Sequence, residues 1–132
     1  EGGRPFYNSV VATFCHQIAR GESPKILHDT EIPLLHAQRI CDQIWDIATN
    51  GTIGDIRPDG HRIMVSTLLE RINLFHEKYA QAGIIPEFKD DFTKDLFNTY
   101  RAFYFAQRPS YLTKLHSDQR GSLSPCAATA LA

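Results

Sequence analysis

A chain of 132 residues with 42% hydrophobic and 22% charged residues has the size and composition of one ordinary globular domain, large enough for a modest core. Its net charge of −1 gives no electrostatic footprint for nucleic acid or an anionic membrane, and no apolar run approaches the length of a membrane span. The opening Glu1-Gly2-Gly3-Arg4-Pro5 lacks the apolar centre of a signal peptide, so the expected location is the cytoplasm.

Four amphipathic stretches follow in chain order. The first starts after Asn8-Ser9, both good N-cap residues, and carries Val10, Val11, Phe14, Cys15 and Ile18 at helical spacing up to a stop at Gly21. The second runs from about Ala37 to Thr49, with a stripe of Ile40, Cys41, Ile44, Trp45, Ile47 and Ala48, and closes at Asn50-Gly51. The third opens at Ser66-Thr67, where Thr67 and Glu70 have capping-box spacing. Its stripe is Leu68, Leu69, Ile72, Phe75 and Tyr79, ended by Gly83. The fourth begins near Asp90-Asp91, acids that suit a helix N-terminus, and carries Phe92, Leu96, Phe97, Tyr100, Phe103 and Tyr104, with Pro109 beyond its end.

Two strand candidates lie between them. Lys25-Ile26-Leu27-His28 is framed by Pro24 and Asp29, and His61-Arg62-Ile63-Met64-Val65 follows the turn-rich stretch from Asp55 to Gly60. Two such short strands make no independent sheet and need helices or further strands to cover them. From Gln107 onward periodicity is lost and Ser, Gly, Pro and Ala dominate, which reads as an extended tail.

The three cysteines, Cys15, Cys41 and Cys126, are far apart and form no CxxC pair, so neither a disulfide framework nor a cysteine zinc site is expected. Cys15 and Cys41 fall on apolar stripes and read as buried thiols. The histidines His16, His28, His36, His61, His76 and His116 contain no HxH or HxxxH pair. They read as solvated or singly hydrogen-bonded rather than as metal ligands. The run Lys89-Asp90-Asp91 to Lys94-Asp95 reads as a solvated helix face, and the aromatic stripe from Phe92 to Tyr104 as core. Phe105 and Tyr104 add to a patch expected to be exposed if a neighbouring domain is absent.

Hydride chemistry cannot be assembled from these residues. The glycines at positions 2, 3, 21, 51, 54, 60, 83 and 121 form no GxGxxG and no phosphate loop. None of Tyr7, Tyr79, Tyr100, Tyr104 and Tyr111 has a lysine four residues on, the pairing that lowers a catalytic tyrosine's pKa in short-chain dehydrogenases. No catalytic, cofactor-binding or metal-ligating residue is expected in this chain.

The run from Arg4 to His16, RPFYNSVVATFCH, resembles a "(R/K)PNYNSVVATFC" segment of the extended short-chain dehydrogenase/reductase (NAD-dependent epimerase/dehydratase) family, in its capsular polysaccharide synthesis subgroup. Four further blocks resemble the same subgroup in order. They are Ile18-Ala19-Arg20-Gly21 with Ile26, Leu27 and Asp29; the step from His61 to Phe75; Phe92 to Tyr100; and His116 to Ser122, similar to the "D-x-R-G-S-F" opening of a C-terminal cupin. Where the subgroup has a "YVDD" motif, this chain has His36-Ala37-Gln38-Arg39, and the acids are gone.

The resemblance implies a mainly α fold with a little β, about four helices and two short strands. This is the C-terminal substrate-binding subdomain of an extended short-chain dehydrogenase without its Rossmann domain. It implies a lid subdomain over residues 1–107 and a linker towards a metal-binding cupin over 108–132. It further implies a fragment of a nucleotide-sugar reductase or epimerase of capsule or O-antigen deoxysugar synthesis. NAD(P) would be bound by the preceding domain and no cofactor by this chain. The sugar-nucleotide contacts it implies are Arg4, Tyr7, Asn8 and Ser9 at a helix start, where free amides suit a diphosphate, and Leu27 on a strand against the nucleobase. Expected partners are a weakly bound nucleotide sugar and a second copy of the chain, with no nucleic acid and no membrane. The alternative is a non-enzymatic helical interaction or dimerisation module.

Overall fold

The structure, a computed structural model, describes residues 3–51, 54–55, 57–107, 116–123 and 128–129. Four helices dominate: α1 (Val10–Ala19), α2 (Ala37–Asn50), α3 (Val65–Phe75) and α4 (Asp91–Gln107). The strands are short and paired in twos. β1 (Glu31–Leu34) runs antiparallel to β2 (His61–Met64), and β3 (Ile84–Ile85) runs parallel to β6 (Ala128–Thr129). β4 (His116–Asp118) and β5 (Gly121–Leu123) form an antiparallel pair. The mainly helical class with a little β is the one expected from sequence.

Helix α1 begins where the cap chemistry places it. Ser9 is extended, and its hydroxyl accepts the Ala12 N–H at 3.1 Å. The Thr13 hydroxyl donates to the Ser9 carbonyl and accepts the Phe6 N–H, which fixes the loop ahead of the helix. Helix α4 is capped by Asp90, whose carboxylate accepts the Thr93 N–H at 2.6 Å. These bonds to Thr93 hold the Asp90 carboxyl below its ordinary range. Gly51 closes α2 in the left-handed conformation, with φ of 66°.

The core lies where α1, α3 and α4 meet. Phe14, Cys15 and Ile18 face Leu68, Ile72 and Phe75, and both sets face Leu96, Phe97, Tyr100 and Tyr104. Edge-on aromatic pairs lock it, with ring centroids at 5.4 Å for Phe75–Phe97 and 5.1 Å for Tyr79–Phe97. Ile32 opposes Ile63 across the β1–β2 pair and seats this ribbon on the helices. Burial pushes the Cys15 thiol up to about 12, so it stays a protonated apolar group. Among the described residues no helix is long and apolar enough to cross a membrane.

Several expectations need correction. Residues 25–28 are not a strand: Ile26 packs on the core but Leu27 is 87% exposed. The strand is β1, which contains Pro33. Among the described residues β1 pairs with β2 alone and is an edge strand, where proline is tolerated. The Thr67–Glu70 capping box is not what starts α3. That helix begins at Val65, and the Asp29 carboxylate accepts the Ser66 N–H at 2.9 Å across 37 residues. Its stripe continues past Phe75 through a π-helical turn at His76–Gln81 before Gly83, with φ of 71°.

Cys41 is exposed rather than buried, because the apolar stripe of α2 faces solvent. Tyr104 is buried and Phe105 packs against the core, so they form no exposed patch. Part of the chain read as tail is ordered at 116–123, where Asp118 accepts the Arg120 N–H and turns the β4–β5 hairpin. Cys126, Pro109 and Tyr111 lie outside the described residues.

Candidate functional site

A cleft of about 450 Å³ opens between the start of α1, the β1–α2 junction, the start of β2 and α4. Its apolar wall is Val11, Ala12, Leu34, Leu35, Phe92 and Leu96; its polar groups come from Ser9, His36, Arg39, Asp59, His61, Asp95 and Thr99. Gly60 brings β2 to this point. A Cβ there would lie 3.1–3.3 Å from the Leu34 backbone, so any larger residue would push Asp59 and His61 a few tenths of an ångström away from the end of β1.

Arg39 ties α2 to α4. Its Nε lies 2.9 Å from Asp95 and its terminal nitrogen 3.1 Å from Asp91, which also takes Lys94 Nζ at 2.8 Å. Its bonds to Asp95 and then Asp91 raise the Arg39 pKa, while Lys94 and then Arg39 hold the Asp91 carboxyl below its ordinary range. The run from Lys89 to Asp95 is therefore more than a solvated face: Asp90 caps the helix, and the Asp95 side chain is only 17% exposed.

His61 lies flat on Phe92, with ring centroids 3.9 Å apart and planes 15° from parallel, and the Arg71 guanidinium also lies over Phe92 at 5.7 Å. His36 stands at the N-cap of α2, yet its side chain makes no capping bond. Its Nε2 is buried and meets no hydrogen-bond partner among the described residues. A buried polar atom without a partner calls for an explanation at this position.

The residues implied by the resemblance fall around the cleft unevenly. Ser9 alone of the five lines it. Arg4, Tyr7 and Asn8 lie on the loop ahead of α1, all exposed, with the Arg4 guanidinium 5.9 Å from the centre of the Tyr7 ring. Phe6 and Asn8 adopt left-handed backbone, with φ of 59° and 51°; asparagine tolerates this and phenylalanine does not, so the loop holds strain. Leu27 is exposed outside the cleft. Sequence reasoning missed His36, Arg39, His61 and Asp95 as site residues. The replacement of the acidic motif by His36-Ala37-Gln38-Arg39 was the one available signal.

No family model matches the chain. It is 29% identical to a UDP-2-acetamido-2,6-beta-L-arabino-hexul-4-ose reductase of Pseudomonas aeruginosa, over 96% of this chain and 35% of that protein. The capsular polysaccharide assembling protein CapF of Staphylococcus aureus matches its fold with a TM-score of 0.74 and 27% identity, covering 92% of this chain and 35% of CapF. CapF with the inhibitor 3-isopropenyl-tropolone matches with a TM-score of 0.71 and 26% identity, over 92% of this chain and 37% of that one. The chain thus spans about a third of the length of these relatives. The resemblance seen in the five sequence blocks is borne out in both sequence and fold.

Proposed function

We propose that this CapF-like chain supplies the substrate side of a larger sugar-nucleotide reductase of capsule or O-antigen synthesis. It would contribute weakly to binding a UDP-linked 2-acetamido sugar. The observation that carries this reading is the start of α1 at Ser9 opening directly into the cleft, in a chain related to a UDP-sugar reductase. Residues 1–107 are the substrate-side lid and 108–132 the linker beyond it, and the working location is the cytoplasm.

The residues present do not fit a nicotinamide dinucleotide: there is no glycine fingerprint and no Tyr-x-x-x-Lys. The hydride step is therefore not assigned to this chain. Its own residues bind and orient. The amides of α1's first turn and Arg4 face the diphosphate, Tyr7 and Asn8 shape the entry loop, and Leu27 offers an apolar contact to the nucleobase.

Amide NMR of the chain titrated with UDP tests this. Shifts at residues 4–10 and 25–29 with a dissociation constant no tighter than about millimolar, near −4 kcal/mol, are expected. Absence of shifts with both UDP and a UDP-sugar at millimolar ligand refutes it.

A second reading, a helical dimerisation module, is favoured by α2. Its stripe leaves Ile44 60% and Trp45 70% exposed, and among the described residues no other element packs broadly over it. Light scattering that shows a monodisperse monomer at high concentration rejects this second reading.

A further inference from the structure

We infer that α2 is a latched wall: Arg39 holds its first turn against α4, and release of Arg39 lets the helix swing about the Leu35–His36 junction and widen the cleft. The latch belongs to the chain whatever the cleft takes, so it stands or falls apart from the nucleotide reading.

Among the described residues α2 is tied to the body at few points. It adds no residue to the core, and from Ala37 to Asn50 only Arg39 and Ile47 are half-buried while the rest are exposed. At its far end a Cβ built on Gly51 or Gly54 would meet nothing within 4 Å. Its side-chain bonds to another element are those of Arg39, to Asp95 at 2.9 Å and to Asp91 at 3.1 Å. Arg39 stands roughly 140° around the helix from Ile44, so α2 is held by its charged side with its apolar stripe outward. A helix docked through its apolar stripe is fixed by burial. One held by a single guanidinium is fixed only while the ion pairs last.

The latched state also carries a cost. His36, at the junction, is the N-cap of α2 yet gives it no capping bond, and its buried Nε2 meets no hydrogen-bond partner among the described residues. A dry polar nitrogen opposes the latched state, and swinging α2 outward lets water reach it. Partly exposed ion pairs gain only modestly over water, so the two effects are of similar size and both states are populated.

The part that moves lines the cleft. His36, Ala37 and Arg39 line it from the start of α2, and Asp95, Leu96 and Thr99 from α4, so release parts these two walls. Ionic strength controls the latch, because the Debye length falls from about 30 Å in 0.01 M salt to about 3 Å in 1 M salt and the Arg39 pairs are then screened.

Distance measurement between two nitroxides by pulsed electron paramagnetic resonance tests this on the full chain. Cys41 on α2 is exposed and takes one label, while Cys15 is buried and spared. Cys126→Ser removes the third thiol, and Arg101→Cys places the second label at an exposed position of α4. One dominant distance is expected in about 0.01 M salt, and a second component that grows towards about 1 M salt.

Arg39→Gln is expected to raise the ratio of released to latched molecules about 3- to 10-fold in low salt, with partial recovery in Arg39→Lys. His36→Phe in the Arg39→Gln chain removes the dry nitrogen and is expected to lower that ratio again. A distribution that neither salt nor Arg39→Gln changes overturns the latch, as does an unchanged or higher ratio with His36→Phe. Should Arg39→Gln fail to fold, the salt series with Arg39 intact decides by itself.

Discussion

The same substitution made on two helices separates a packed face from an unpartnered one. Ile72 of α3 is 0% exposed within the core, whereas Ile44 of α2 is 60% exposed. Ile→Ala removes three carbons. At about 0.8 kcal/mol per buried methylene the transfer cost at position 72 is ~2.4 kcal/mol, and the cavity left among α1, α3 and α4 brings it to about 3–5 kcal/mol. Against a total stability of about 5–15 kcal/mol, Ile72→Ala removes a large share and lowers Tm by roughly 10 °C or more.

At position 44 little contact is lost, and alanine's better helix propensity returns a few tenths of a kcal/mol, so Ile44→Ala is expected within about 0.5 kcal/mol of wild type. Urea denaturation at constant m-value, followed by far-UV circular dichroism at two protein concentrations, reads both numbers. A cost above about 1 kcal/mol for Ile44→Ala that does not change with concentration would show α2 packed on the core and refute the structural assignment. A cost that grows with concentration would instead mean that α2 is covered by a second copy.

Three further outcomes are expected. Asp90→Ala removes the cap of α4 and costs about 1 kcal/mol in chemical denaturation. The folded Asp90 carboxyl lies below its ordinary 3.8, so this stabilisation is present above 3.8 and is lost as pH falls through the folded value. The gap between wild type and variant should close in acid and not in base. Iodoacetamide on the folded protein should modify Cys41 and spare Cys15, which burial keeps protonated up to about 12; peptide mass mapping before and after denaturation checks this. Contaminant-free protein should show no NADPH turnover with a keto-sugar nucleotide, and measurable turnover would contradict the absence of the glycine and Tyr-x-x-x-Lys motifs.

Local chemistry in the sequence was enough for the starts of two helices and the inner faces of three. Ser9 caps α1 and Asp90 caps α4 through bonds spanning three residues, and the stripes of α1, α3 and α4 became the core because each had another apolar face within reach. The five blocks of family resemblance were legible for the same reason, being runs of neighbouring residues.

What tertiary structure decided are features built across long separations. The period of α2 foretold an apolar face, but periodicity cannot say whether anything covers it, and Cys41, Ile44 and Trp45 turn out exposed. The strand fell at Glu31–Leu34 rather than at 25–28 because β2 chose its partner by placing Ile63 opposite Ile32, a pairing that overrides the local objection to Pro33. The start of α3 was set by Asp29, and the cleft by Arg39 reaching Asp95 and by His61 stacking on Phe92. Each of these contacts joins residues some 30 to 60 positions apart. Their energy depends on the fold that brings them together, so no local window of the sequence contains it.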